Sequence, residues 1–370
     1  MKRSKPALFR TMPLPWLLVL LIVGTVMEAT AHTDSCSAAA DYGFVCDLRN
    51  PEDLVRVPDT KWIIASGMAP GAAIYLIDSE QKTWTALYPG VAPRARQDMG
   101  TFGACPGSPD PNQLVSHGLN LRPGANGHST LYVVGHGGRE AIEVFDVDAS
   151  GASPELTWTG CVEMPEGMAA NSVASLDDGS LVATIPLHPD KSIADALAGK
   201  PSGAAYRWSP GDPGFTMIAG TELPYPNGIE VSADGQEIYI VSSGLLSVTA
   251  FSNTQPAQPL RIASDLAIVP DNLHMAADGR IVTAGLVADD PRCGDVRGVA
   301  EFDLEEFASC PRPFMALAID PRSMDVEVLA AGPANEQFSN ITMALQLGGE
   351  LWLGTFAGDR VAYTALQQAE

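Results

Sequence analysis

A chain of 370 residues with 44 acidic and 22 basic side chains carries a formal net charge of −22. Such a charge repels nucleic acid and anionic lipid, and the sequence has neither a basic patch nor a nucleic-acid motif, so those partners are set aside. Its 35 glycines and 29 prolines favour many tight turns over long helices.

The first predicted element is a leader. Lys2, Arg3, Lys5 and Arg10 precede an apolar run from Trp16 to Val26, and Ala29-Thr30-Ala31 has the small-x-small form of a cleavage site, so residues 1–31 read as a secretory signal. The run is short against the roughly 20 residues of a membrane span. The mature chain is therefore expected to be periplasmic or secreted, without a stable span. Cleavage removes four cations and one acid, Glu28, which leaves the remainder more acidic still. All six cysteines lie beyond the cleavage point, and an even count in an exported chain reads as disulfides. Cys36 with Cys46 and Cys293 with Cys310 are the local pairings, and no CxxC spacing points to zinc.

Residues 32–50 hold no long hydrophobic run and read as an extended lead-in. Residues 51–370 alternate β-rich runs with Gly, Pro and Asp turns and contain no linker, so they are expected to form one domain. A recurring hairpin organises that domain. In chain order its copies are EDLVRVPDTKWIIASG from Glu52, HGLNLRPGANGHSTLYVVGH from His117, NSVASLDDGSLVATI from Asn171, NGIEVSADGQEIYIVSSG from Asn227, DNLHMAADGRIVTAG from Asp271 and ITMALQLGGELWLGTF from Ile341. Each couples an alternating run to a second β-branched run through a turn, and Asp234-Gly235 and Asp278-Gly279 supply hairpin turns, not a site. The copies recur irregularly, at separations close to the roughly 40 to 50 residues of a propeller blade. Six four-stranded units close radially, so the expected fold is all-β, a six-bladed β-propeller. Between copies, His136-Gly137-Gly138 forms a tight corner at a strand end, and 192–198 and 304–308 are short helices.

If each copy opens the innermost strand of its blade, Glu52, His117, Asn171, Asn227, Asp271 and Ile341 ring the axis. Polar residues at five of these positions stand where strand residues would otherwise be apolar. Two carboxylates and two amides, with Asn272 beside Asp271, make a set of hard oxygen donors suited to Ca²⁺, and the charges of Glu52 and Asp271 offset a divalent ion.

The segments Pro51-Glu52-Asp53-Leu54, Ser116-His117-Gly118, Leu131 to His136, Asn171, Asn227-Gly228 and Asp271-Asn272 together resemble the calcium-dependent six-bladed propellers of the paraoxonase/arylesterase group and the related gluconolactonase (senescence marker protein) superfamily. The likeness spans nearly all of the mature chain, in matching order. It implies that Glu52, Asn171, Asn227, Asp271 and Asn272 bind a catalytic calcium, that His117 is the active-site histidine and His136 its proton-shuttling partner, and that Met68 and Tyr225 line the substrate pocket. The expected reaction is hydrolysis of a small lactone or ester by water, with His117 as base and Asp271 as the competing candidate. Three departures stand out. Ser172 replaces a carboxylate of that group's second, structural calcium site, leaving Asp53 without its partner, so one tightly bound ion is expected. Gly135 replaces an Asn before the second histidine. No cysteine follows Cys310, so closure must rest on strand pairing and packing. The rival readings are a non-hydrolytic strictosidine synthase-like enzyme and a non-catalytic binding propeller with calcium as a structural pin; no G-x-S-x-G supports a serine hydrolase.

Overall fold

The computed structural model describes residues 36–38, 41–298 and 301–366, and the leader 1–31 lies outside them. Residues from Cys36 onward form one compact unit. Within it, six antiparallel sheets of at least four strands follow one another along the chain, the blades of a six-bladed β-propeller. The first blade runs Leu54–Arg56, Trp62–Ala65, Ile74–Asp78 and Thr83–Tyr88, and the second Val115–Pro123, His128–His136, Ala141–Asp148 and Glu155–Glu163. The second also carries Arg94–Ala95, paired in parallel with its outer strand. The third, fourth and fifth blades open at Val173, Pro226 and Ile268.

The sixth blade is composite. Its inner strands are Ile341–Leu347, Glu350–Thr355 and Val361–Ala365, and its outermost strand is Gly43–Val45 from the other end of the chain. Gly43, Phe44 and Val45 pair with Tyr363, Ala362 and Val361. The lead-in thus supplies the strand that closes the ring, and closure rests on pairing and packing.

A buried apolar cluster fills each gap between neighbouring blades, because strands packed on both faces alternate apolar side chains toward either neighbour. Leu54, Ile63, Met343 and Trp352, for example, join the first blade to the sixth. Both short helices are present and N-capped by side chains: Ile193–Leu197 by Ser192, Leu304–Ser309 by Asp303.

All six cysteines are paired, as Cys36–Cys46, Cys105–Cys161 and Cys293–Cys310. The two local pairings are those expected from the sequence; the third spans 56 residues. Among the described residues, no helix is long and apolar enough to cross a membrane.

Because strands alternate in direction, the loop after each second strand returns to the end of the propeller where the inner strands begin. Three of these loops are tight, and that of the first blade spans residues 66–73. The excursions from the third blade (186–203) and the fifth (288–313) are longer, and the helix Ile193–Leu197 meets the turn Val296–Gly298 above the fourth blade. Arg312, buried within the fifth-blade excursion, donates to the carbonyls of Val287, Ala288, Cys293 and Gly294 and pins it.

Candidate functional site

Four of the six inner strands interrupt their ladder where the sequence places its polar ring. The register shifts fall between Ser116 and Leu119, Pro226 and Ile229, Pro270 and Leu273, and Ile341 and Met343. A bulge re-aims side chains that would otherwise alternate between neighbouring blades. His117, Asn227, Asp271 and Asn272 lie in these bulges; Glu52 and Asn171 lie just ahead of the strands of the first and third blades.

Glycine lets the bulges nest. A Cβ on Gly118 would stand 2.5 Å from the Asn171 carbonyl oxygen, and one on Gly228 would stand 2.6 Å from that of Asp271. Hydroxyls then lock the backbone between strands: Thr283 Oγ1 donates to the Asn272 carbonyl at 2.7 Å, Thr342 Oγ1 to that of Glu52 at 2.6 Å, and Thr184 Oγ1 to that of Asn227 at 2.5 Å.

The side chains converge on the axis. Asn272 Nδ2 of the fifth blade donates to Glu52 Oε1 of the first, a contact 220 residues apart in sequence. Glu52, Asn171, Asn227 and Asn272 are all buried. Four of their oxygens, Glu52 Oε2, Asn171 Oδ1, Asn227 Oδ1 and Asn272 Oδ1, have no hydrogen-bond partner. Buried acceptors are almost always satisfied, and orphans on Glu52, Asn227 and Asn272, which the Asn272–Glu52 contact and the Asn227 amide beside Asp271 bring together, with another on Asn171 at the same position of the third blade, call for a shared partner. Among the described residues, no group of three or more His, Cys, Asp or Glu side chains is arranged to hold a metal. The cluster here is of another kind, carboxylates mixed with amides, which is the donor chemistry of a hard divalent cation.

Electrostatics point the same way. Burial, then Asp53 and Asp271, push the Glu52 carboxyl well above its usual range against the opposing bond from Asn272. Burial pushes Asp271 up to about 7, although the Asn227 amide pulls it down. Carboxylates crowded in this way are relieved by a cation between them. The Tyr225 phenol is raised to about 12 by burial and by Asp271 and Glu52, which puts it beside the cluster. Tyr225 also holds φ at 50°, with its N–H donated to Ser202 Oγ. Met68 sits on the first-blade loop at the same end, tied by its backbone to Asn50.

His117 Nε2 lies 3.8 Å from Glu52 Oε1, and its Nδ1 is 3.0 Å from His136 Nε2. Burial, then His136, hold the His117 imidazole down at about 3, so it is neutral throughout the ordinary pH range.

Where Ser172 stands in place of a carboxylate, Asp53 is engaged by protein groups instead: its Oδ2 accepts from the Leu119 N–H at 2.7 Å and its Oδ1 lies 2.8 Å from His274 Nε2. Burial opposes charge on His274, but Asp53 and Glu230 outweigh it and raise the imidazole to about 10. The sequence reading missed His274 because it and Asp53 are 221 residues apart, and it sits inside a strand as an ordinary core histidine would. A cavity of about 480 Å³ opens near His274 at the opposite mouth of the axis, among Arg56, Arg122 and Gln346, away from the orphaned oxygens.

No protein-family model matches the sequence, and no curated protein is similar enough to be counted a relative. Solved structures share the fold. A luciferin-regenerating enzyme is 11% identical with a TM-score of 0.51, covering 88% of this chain and 94% of its own. A regucalcin from Agrobacterium tumefaciens, described as a calcium-binding protein, is 11% identical at 0.51, covering 88% and 93%. A gluconolactonase from Xanthomonas campestris is 14% identical at 0.51, covering 88% and 89%. The likeness is one of architecture.

Proposed function

We propose that this protein is an exported, calcium-dependent hydrolase of small lactones or carboxylic esters. The observation that carries the reading is the set of unpartnered, buried oxygens at the axial ends of the first, third, fourth and fifth blades, with His117 beside Glu52. Glu52, Asn171, Asn227, Asp271 and Asn272 would hold the ion. A bound calcium supplies Lewis-acid polarisation of a carbonyl oxygen and charge stabilisation as the carbonyl is attacked. The calcium binding named for the regucalcin and the activity named for the gluconolactonase point the same way, as analogies of fold. Three disulfides accord with export.

The chain's own groups would work as follows. His117 would present its imidazole toward the axis and take the proton of the attacking water. His136, in contact through the other ring nitrogen, shares that proton. Asp271 is the alternative base. Tyr225 and Met68 would border the substrate, beneath the excursions of the third and fifth blades.

The test is hydrolysis of phenyl acetate and of aliphatic and sugar lactones in calcium and in a chelator. Turnover that disappears with chelation and returns with calcium is expected; turnover indifferent to calcium removal refutes the reading. His117→Gln separates it from a propeller that uses calcium only as a pin, because turnover should fall sharply while calcium affinity holds.

A further inference from the structure

The His117–His136 pair does not end at His136. His136 Nδ1 lies 2.5 Å from Glu140 Oε2, four residues on, across the Gly137-Gly138 corner. We infer that Glu140 is a positioning residue that fixes the tautomers of both histidines, so that His117 presents a lone pair, and not an N–H, to the cluster on the axis.

The inference follows from donor counting. A carboxylate only accepts, so His136 Nδ1 must carry the hydrogen. With a single hydrogen on the His136 ring, at Nδ1, its Nε2 is an acceptor, and His117 donates to it from Nδ1 across the 3.0 Å contact. That leaves His117 Nε2 bare, and this is the nitrogen 3.8 Å from Glu52. Without Glu140 the hydrogen on His136 is free to sit on either nitrogen, and the opposite tautomer would reverse the chain.

The corner is built to hold Glu140 where it is. Gly137 has φ of 95°, and a Cβ there would meet the Gln113 carbonyl oxygen at 1.9 Å. The neighbouring Arg139 is clamped to fully buried Glu143 by two hydrogen bonds of 2.7 and 2.8 Å, and Glu143 also accepts from Trp158 Nε1 at 2.7 Å. The Glu140 carbonyl accepts from the Met164 N–H at 2.9 Å. The Glu140 side chain itself keeps 39% of its surface and anchors nothing else among the described hydrogen bonds, so its removal leaves these restraints standing.

Its role in turnover rests on the hydrolase reading above. As the water oxygen bonds to the carbonyl carbon, its proton passes to His117 Nε2 and the Nδ1 proton of His117 passes to His136 Nε2. The positive charge then rests on His136, against the Glu140 carboxylate, and the sequence reverses to protonate the departing alkoxide.

The experiment uses calcium-loaded protein, wild type against Glu140→Ala and Glu140→Gln. Long-range proton–nitrogen spectra of the histidine rings report tautomers without requiring turnover. In wild type, His136 should be protonated at Nδ1 and His117 bare at Nε2. Glu140→Ala should mix the tautomers and lower kcat on phenyl acetate by about 10- to 100-fold, the usual range for a residue that orients an active group. KM and calcium affinity should stay within about twofold of wild type by the same reasoning. Glu140→Gln, nearly isosteric and able to accept through its amide oxygen, should keep the tautomer and lose less. Unchanged tautomers in Glu140→Ala, or an unchanged kcat with shifted tautomers, would overturn the inference. Shifted tautomers in a protein that hydrolyses no ester or lactone would keep the positioning and sink the hydrolase reading alone.

Discussion

Asn171→Leu should raise stability in chelator and lose most or all of that advantage when calcium is present. The Asn171 backbone is engaged independently of its side chain, its N–H donating to the Thr184 carbonyl at 2.9 Å and its carbonyl accepting from Gly118. Its Oδ1 is buried and unpartnered. In chelator that oxygen is a liability of about 1–3 kcal/mol, which a leucine of similar volume removes. At roughly 2 °C per kcal/mol for a domain of this size, the variant should melt about 2–6 °C higher than wild type in chelator. In calcium at 100 times its Kd the wild type gains about 2.7 kcal/mol, or roughly 5 °C. A variant binding about 100-fold more weakly keeps only about 0.4 kcal/mol of that, so its calcium-induced shift should fall below about 1 °C. Thermal unfolding of both proteins in the two buffers makes the comparison. An Asn171→Leu deficit of equal size with and without calcium would show that the side chain serves packing, and the ion-site reasoning would fail.

Gly228→Ala should cost about 1–3 kcal/mol and weaken calcium binding, because its Cβ would drive into the backbone of Asp271 and Leu273; denaturant melts and calcium titration would show both, and a neutral substitution would mean the strands can part. Replacing Cys105 and Cys161 with serine should lower stability by about 4 kcal/mol from the chain entropy of the loop they close, read by urea unfolding. Arg139→Met should cost about 3–5 kcal/mol at pH 8 by stranding buried Glu143. Burial already raises the folded Glu143 carboxyl despite Arg139, so removing the cation raises it further. The folded state then holds the Glu143 proton more tightly than the unfolded chain, so the deficit should be smallest below the ordinary glutamate range and grow as pH rises through it. Urea melts at pH 4 and pH 8 test this, and a deficit independent of pH would refute it.

What the sequence made legible was the part of the fold written locally. Each hairpin carries its own turn and alternation, so the six copies, and hence the ring at their first residues, could be read without knowing how the blades meet. The short helices were legible for the same reason, each beginning at a side-chain cap. What escaped depends on distant strands. Gly43–Val45 is three residues long and becomes a strand only because Val361–Ala365 offers it an edge. Cys105 finds Cys161 only when two ends of the second blade's chain are folded together. The locking hydroxyls of Thr184, Thr283 and Thr342 look like ordinary strand residues until the neighbouring backbone lies against them. Glu140 reads as a surface charge in GHGGREAIE, although its spacing of four from His136 across two glycines was a signal that could have been weighed.

The contacts at the axis also bear on how the ring closes. Asn272 reaches Glu52 past the composite sixth blade, and Thr342 of that blade holds the Glu52 carbonyl, so these contacts require the first, fifth and sixth blades to stand in their final places together. The clasp that completes the sixth blade is only three residue pairs long. Most of the closing free energy must therefore come from the apolar clusters on either side of that blade and from whatever satisfies the orphaned oxygens at the centre. An ion held by the first, third, fourth and fifth blades at once would bind the closed ring and not the open one, and by linkage its binding free energy would stabilise closure. The same geometry that brings the donors together thus makes the ion, in this reading, a fastener of the fold as well as a participant in its chemistry.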